Sequence, residues 1–149
     1  LARKRESNFW DRVRPLLAGL DPVRVENAVN PGTPDVNCIL GWIELKQIRP
    51  EDMPKRAGTV LRLDHFTPEQ RAWLTRRAYF GGACWVLLLL GEQWVLIVGR
   101  TAAEHLGRVN VADTLALASH VWPTKPSAEE LQKALRDTGL VMALGGKHE

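Results

Sequence analysis

The sequence predicts an α/β fold, a sheet with helices on its faces. Three observations lead there: an amphipathic helical stretch opens the chain, strand-like runs alternate with a second helix, and the run from Ala83 to Leu90 is apolar at every position. A strand apolar on both sides must be covered on both sides. With 149 residues, 45% of them hydrophobic and 25% charged, the chain is sized for one domain, taken as 1–149, with a real core.

The elements follow in order. Phe9, Trp10, Val13, Leu16 and Leu17 recur at helical spacing and Gly19 supplies a stop, so a first helix is expected over roughly 6–18. Val23 to Val29 alternates apolar and polar as a strand does, and Asn30-Pro31-Gly32-Thr33-Pro34 ends it with turn residues. Val36 to Leu40 and Trp42 to Ile48 read as two strands of a hairpin turning at Leu40-Gly41. Residues 49–66, with Pro50, Pro54 and Gly58, read as a long exposed loop. Thr67-Pro68-Glu69-Gln70 then opens a second helix with a cap, a first-turn proline and a Gln three residues after the cap. That helix runs to Gly81-Gly82, and strands Ala83–Leu90 and Trp94–Val98 follow. Beyond Gly99, Thr101 with Glu104 and Ser127 with Glu130 promise capped helices.

Several function classes drop out. No apolar run is long enough to span a bilayer, and no signal-like segment opens the sequence, so a cytoplasmic location without membrane contact is expected. Cys38 and Cys84 are too few for a disulfide scaffold, and four scattered histidines lack zinc-ligand spacing. The net charge of +3 is unevenly spread: residues 1–80 hold 14 Lys or Arg against 10 Asp or Glu, and the remainder 6 against 7. The basic clusters, among them Lys55-Arg56, Arg62, Arg71 and Arg76-Arg77, suit a polyphosphate partner.

The hairpin carries the chemistry. Glu44 and Lys46 share a strand face because side chains alternate. A turn at Leu40-Gly41 makes positions summing to 81 face each other, which pairs Asp35 with Lys46 and Asn37 with Glu44. Two carboxylates so close are stable only with protons or cations between them. Oxygen ligands without Cys or His suit Mg²⁺ or Mn²⁺, and such a metal beside a lysine is a means of hydrolysing phosphodiesters.

Pro34-Asp35, eight further residues, then Glu44-Leu45-Lys46 resembles the motif of the PD-(D/E)XK nuclease superfamily. The wider stretch is similar to the VRR-NUC group, which includes stand-alone nucleases of phages and bacteria. It runs from Arg24-Val25-Glu26-Asn27 through Pro31 to Asn37 and Trp42 to Lys46, then Gln70 to Leu74 and Gly81-Gly82. The resemblance covers roughly residues 20–100. It implies a restriction-endonuclease-like core, αβββαβ with a mixed central sheet, over about 6–100, and leaves a helical extension over about 101–144. It also implies a metal-dependent DNA endonuclease, structure-selective for branched DNA such as four-way junctions and working as a homodimer, with no nucleotide cofactor. Asp35, Glu44 and the carbonyl of Leu45 would bind the metal, and Lys46 would orient water or stabilise charge on the phosphate. Glu26 would be a further ligand, with Glu6 as its rival, and Gln70 would support the site or touch DNA.

Three readings stay open on the residues alone. Asp35, Glu44 and Lys46 also fit an ordinary surface ion pair on a fold used only for binding. Gln70 fits the far half of a capping box as well as a site role. Trp42 and Trp73 fit core packing as well as base stacking.

Overall fold

In the computed structural model, which describes residues 2–145 and the side chains of 8–145, six strands form one sheet in sequential order among the described residues. They are β1 (Val23–Arg24), β2 (Val36–Cys38), β3 (Gly41–Ile48), β4 (Cys84–Leu90), β5 (Gln93–Val98) and β6 (His120–Trp122). The β3–β4 pair is parallel and every other pair antiparallel. A parallel pair needs a crossover, and α2 (Pro68–Tyr79) with the loop before it provides one.

Helices cover both faces, so the molecule is an α/β structure of three layers. On one face α1 (Ala2–Val13) and α5 (Ala128–Gly145) bring Phe9, Val13, Leu131 and Leu135 onto Ile43, Leu45, Trp85 and Leu87. On the other, α2 and α3 (Gly99–His105) bring Leu74, Ala102 and Ala103 onto Val86, Leu88, Val95 and Ile97. β4, the strand expected to be covered twice, is buried along its whole length. None of the described helices is long and apolar enough to cross a membrane.

Departures from the expected elements have local causes. α1 begins earlier than residue 6 and ends at Val13, and a 3-10 turn over Arg14–Leu17 follows with Pro15 in its first turn. The strand expected over 23–29 stops at Arg24. There Asn27 turns the chain: its Oδ1 accepts from the amides of Val29 (3.1 Å) and Asn30 (2.9 Å), a side-chain substitute for ladder bonds. The long loop is pinned at both ends, with a 3-10 turn at Pro50–Asp52 and a bridge from Val60 to Asn110. It buries Leu61 and Phe66.

The C-terminal part is less purely helical than expected. Thr101 does not cap a helix; it lies inside α3, which continues directly from β5 with Val98 at its N-cap. α4 (Val111–Leu117) is capped instead by Asn110, whose side chain accepts from the Asp113 amide. Residues 120–122 add β6 to the sheet edge. The Ser127–Glu130 pair does form a reciprocal cap at the start of α5.

Candidate active site

The hairpin turns one residue earlier than the sequence suggests, at Ile39-Leu40. Cys38 faces Gly41, Asn37 faces Trp42 and Val36 faces Ile43, so facing positions sum to 79. Gly41 is already the first residue of β3, with φ +147° and its Cα so close to the Ala83 carbonyl that a Cβ would overlap it. The Ile39 amide donates to the Leu20 carbonyl (2.9 Å) and anchors the tip. The partners therefore change by two residues while the faces stay as read, because a strand has period two. Glu44 and Lys46 face the α2 side, and continuing the register puts Asp35, not Asn37, opposite Glu44.

Asp35 reaches across to β3: its Oδ2 accepts from the Leu45 amide at 2.9 Å. Its Oδ1 lies 3.8 Å from Arg24 Nη2. Pro34 comes opposite Leu45 in the continued register. Having no N–H, Pro34 cannot donate to the Leu45 carbonyl. Since amide and carbonyl of one strand residue leave by the same edge, that carbonyl emerges on the Asp35 side of β3. A proline before the aspartate thus keeps a backbone oxygen beside the carboxylate from being tied up by the β2 ladder.

Glu44 and Lys46 are buried, at 1% and 5% exposure. Lys46 Nζ lies 3.9 Å from Glu44 Oε1 and donates to the carbonyl of His65 at 2.7 Å. Phe66 presents its ring 5.7 Å from the same ammonium. The expected Asp35–Lys46 partnership is therefore replaced by Glu44–Lys46 on one strand and Asp35–Leu45 across the hairpin.

Gln70 takes both of the roles left open for it. Its Oε1 accepts from the Thr67 amide and its own amide donates to Thr67 Oγ1, closing a capping box. Its Nε2 meanwhile donates toward Glu44 Oε1 at 3.5 Å. Gly32 makes the neighbouring approach possible: at φ +97° it lies against the Glu69–Gln70 peptide, where a Cβ would collide. The 27–34 loop, the start of α2 and β3 thereby meet at one place.

In comparison with protein-family models, curated proteins and solved structures, the chain matches none. Its site is read from its own geometry.

Glu26 is exposed, one residue beyond Val25, whose amide donates to the Asp35 carbonyl (2.8 Å). Among the described residues no three His, Cys, Asp or Glu side chains gather closely enough to hold a metal, so Glu26 does not join Asp35 and Glu44 in a ready-made set. The strand that would have carried it inward ends two residues before it. Glu6 lies outside the described side chains. The donors that fit a hard cation are the two carboxylates and the Leu45 carbonyl, an all-oxygen set suited to Mg²⁺ or Mn²⁺.

Three participants escaped the sequence reading. The His65 carbonyl is a backbone group brought in by tertiary structure, and no residue type announces it. Arg24 could have been found, since it precedes Glu26 on the strand that flanks the motif. Arg71 sits with its guanidinium 4.3 Å from the Phe66 ring and donates to the Ala103 carbonyl (3.1 Å). Burial, and then the neighbouring Arg108 charge, lower its pKa from the ordinary arginine value.

Proposed function

We propose that this chain is a metal-dependent endonuclease that hydrolyses phosphodiester bonds in DNA, selective for branched DNA such as four-way junctions, and that its core is restriction-endonuclease-like. The observation that carries the reading is Asp35 bound to the Leu45 amide and set opposite buried Glu44 by the continued strand register, with Lys46 beside Glu44 and Gln70 at the start of α2 reaching it. Buried charges are costly to a fold, and a site that needs them is the physical reason to keep them.

Asp35, Glu44 and the Leu45 carbonyl would hold Mg²⁺ or Mn²⁺. Bound there, such an ion supplies polarisation of a phosphate oxygen and a lowered pKa for an attacking water. Lys46 has three N–H donors, of which His65 takes one, so the ammonium can stay anchored while it offers another to water or to a phosphate oxygen. Gln70 holds Glu44 Oε1 in place through a helix cap that is itself closed. The dimer in this reading has a surface to use: Leu140, Val141 and Leu144 are exposed near the end of α5, and large exposed apolar patches mark contact sites.

A second reading, a DNA-binding or protein-interaction module without activity, is favoured by the Lys46–His65 contact, which commits one of the ammonium's donors to the fold at 2.7 Å. Metal binding separates the two. In the nuclease, Mg²⁺ or Mn²⁺ at a hundred times its Kd raises stability by about 2.7 kcal/mol in the wild type and not in Asp35→Ala; an unchanged melting temperature in both favours the binding module.

The deciding experiment is cleavage of end-labelled single strand, duplex, flap and four-way junction with Mg²⁺ or Mn²⁺, using wild type, Asp35→Ala and Lys46→Ala. Metal-dependent products that disappear in both variants support the proposal. No product from the wild type, or products that survive both substitutions, overturn it.

A further inference from the structure

A hollow of about 800 Å³ lies between the 27–33 loop and α2, with Trp42 of β3 and Trp73 of α2 in its wall. The two indoles meet edge to face with centroids 5.3 Å apart. Across them lies Arg77, its guanidinium carbon 4.6 Å from the Trp73 ring and 6.0 Å from the Trp42 ring. Gly82 makes room for this: a Cβ there would collide with Arg77 Cγ and Cδ, so the arginine stem can lie flat over the chain. Both tryptophans are half-buried against the core on the α2 side, whereas Trp85 and Trp94 are fully buried. Core packing therefore accounts for one side of each indole and leaves the other lining the hollow.

The arrangement is an aromatic, charged shelf, and its chemistry selects an occupant. Nucleobases stack on indoles and on guanidinium planes alike. Bases within a duplex are already stacked, so only an unpaired base has a face to offer. Exposed Arg76 extends the positive charge from this hollow into the next one, of about 510 Å³, which Arg71 and Arg108 also line. Against these stands Glu69, the one acidic residue lining the first hollow. The balance favours a polyanion.

Its place relative to the site is fixed by β3. Trp42 is two residues before Glu44 on the same strand face, roughly 7 Å along the strand, within reach of a nucleotide or two. We propose that the Trp42–Trp73–Arg77 shelf stacks an unpaired base of a single-stranded DNA segment next to the bond that Asp35, Glu44 and Lys46 address. The position of the cut rests on the nuclease reading; the stacking does not. Branch points and flaps offer such unpaired bases and intact duplex does not, so the shelf would give the enzyme its preference for structured DNA.

The test is binding without divalent metal, at one fixed salt concentration, of a labelled single strand, a blunt duplex and a duplex with an unpaired gap. For the wild type, the single strand and the gapped duplex are expected to bind about tenfold more tightly than the blunt duplex. Trp73→Leu should remove that preference. Arg77→Lys, at an exposed position where folding is not at stake, keeps the charge and loses the plane; it should remove the preference while leaving blunt-duplex affinity within about twofold. Equal affinities in the wild type, or a preference that survives Arg77→Lys, overturn the proposal. Metal-dependent cutting of blunt duplex without single-strand preference sinks the shelf and leaves the nuclease standing. A single-strand preference lost in Arg77→Lys, in a chain that cuts nothing, upholds the shelf and sinks the nuclease.

Discussion

β3 and β4 run side by side in one parallel ladder, with Glu44 next to Val86 and Lys46 next to Leu88. Both strands lie between the same helical layers. β4 is apolar throughout, whereas β3 interrupts its α2 face, between Trp42 and Ile48, with Glu44 and Lys46. Both charged positions are nearly as buried as their β4 neighbours, at 1% and 5% against 0%. β4 shows what this environment asks of a strand for stability alone. The charges on β3 are not what packing asks for, and the proposed phosphodiester chemistry would supply the reason to keep them.

The sharpest way to break the comparison is to measure cutting. Asp35→Ala or Lys46→Ala should lower cleavage by about a hundredfold or more, whereas Leu88→Ala should change the rate per folded molecule little. Stability should behave in the opposite sense. Leu88→Ala leaves a cavity and costs about 2–5 kcal/mol in denaturant unfolding. Glu44→Leu alone should cost about 3–5 kcal/mol, because Lys46 is left buried without its carboxylate. The double variant Glu44→Leu with Lys46→Met should be neutral or more stable by about 1–4 kcal/mol, and inactive. A double variant as unstable as the single one would mean that the pair holds the strand and that the comparison is misdrawn.

Gln70 links the two kinds of role and gives a finer cut. Gln70→Ala removes half of a capping box and should cost about 1 kcal/mol. Gln70→Glu keeps the cap chemistry but sets a carboxylate against Glu44, so it should depress cleavage more than stability. Equal losses in both variants would confine Gln70 to the cap.

The effect confined to alkaline pH, and absent at neutrality, belongs to Cys84, at the start of β4. Burial pushes its thiol up to about 12, offset in part by the Arg77 charge, and its Sγ donates to the Leu74 carbonyl at 3.6 Å. A folded-state pKa above the unfolded value means that the contribution is complete below the ordinary thiol range. It is lost as pH rises from about 8.5, the ordinary thiol value, through the folded pKa of about 12. Cys84→Ala should flatten that alkaline limb of the unfolding curve. An identical limb in the variant would assign the loss to other groups.

How much of this was legible varied with the range of the interaction concerned. The capping box at Thr67–Gln70, the doubly covered β4 and the shared face of Glu44 and Lys46 all depend on neighbours within a few residues, and each was readable. The hairpin register was misread by one position of the turn, because Leu-Gly is a weak turn signal and Gly41 is needed by Ala83, far along the chain. The short β1 had the alternation of a longer strand, but Asn27 spends its side chain on the amides of Val29 and Asn30, and Glu26 is left exposed in consequence. β6 was missed because three residues at a sheet edge have almost no pattern of their own.

By itself the sequence determined the α/β class and the face that Glu44 and Lys46 share, since periodicity survives any register shift of two. Only the tertiary structure decided which partners those groups take. Asp35 binds the Leu45 amide because Pro34 and β2 stop there, Lys46 is held by a carbonyl 19 residues away, and Gln70 reaches Glu44 because Gly32 lets the loop lie against α2. Trp73 and Arg77 are neighbours one turn apart on α2, but Trp42 joins them from β3 only when the chain packs, as contacts between distant segments have no local signature. Which charge meets which, and that Glu44 and Lys46 are buried at all, are properties of the packed chain.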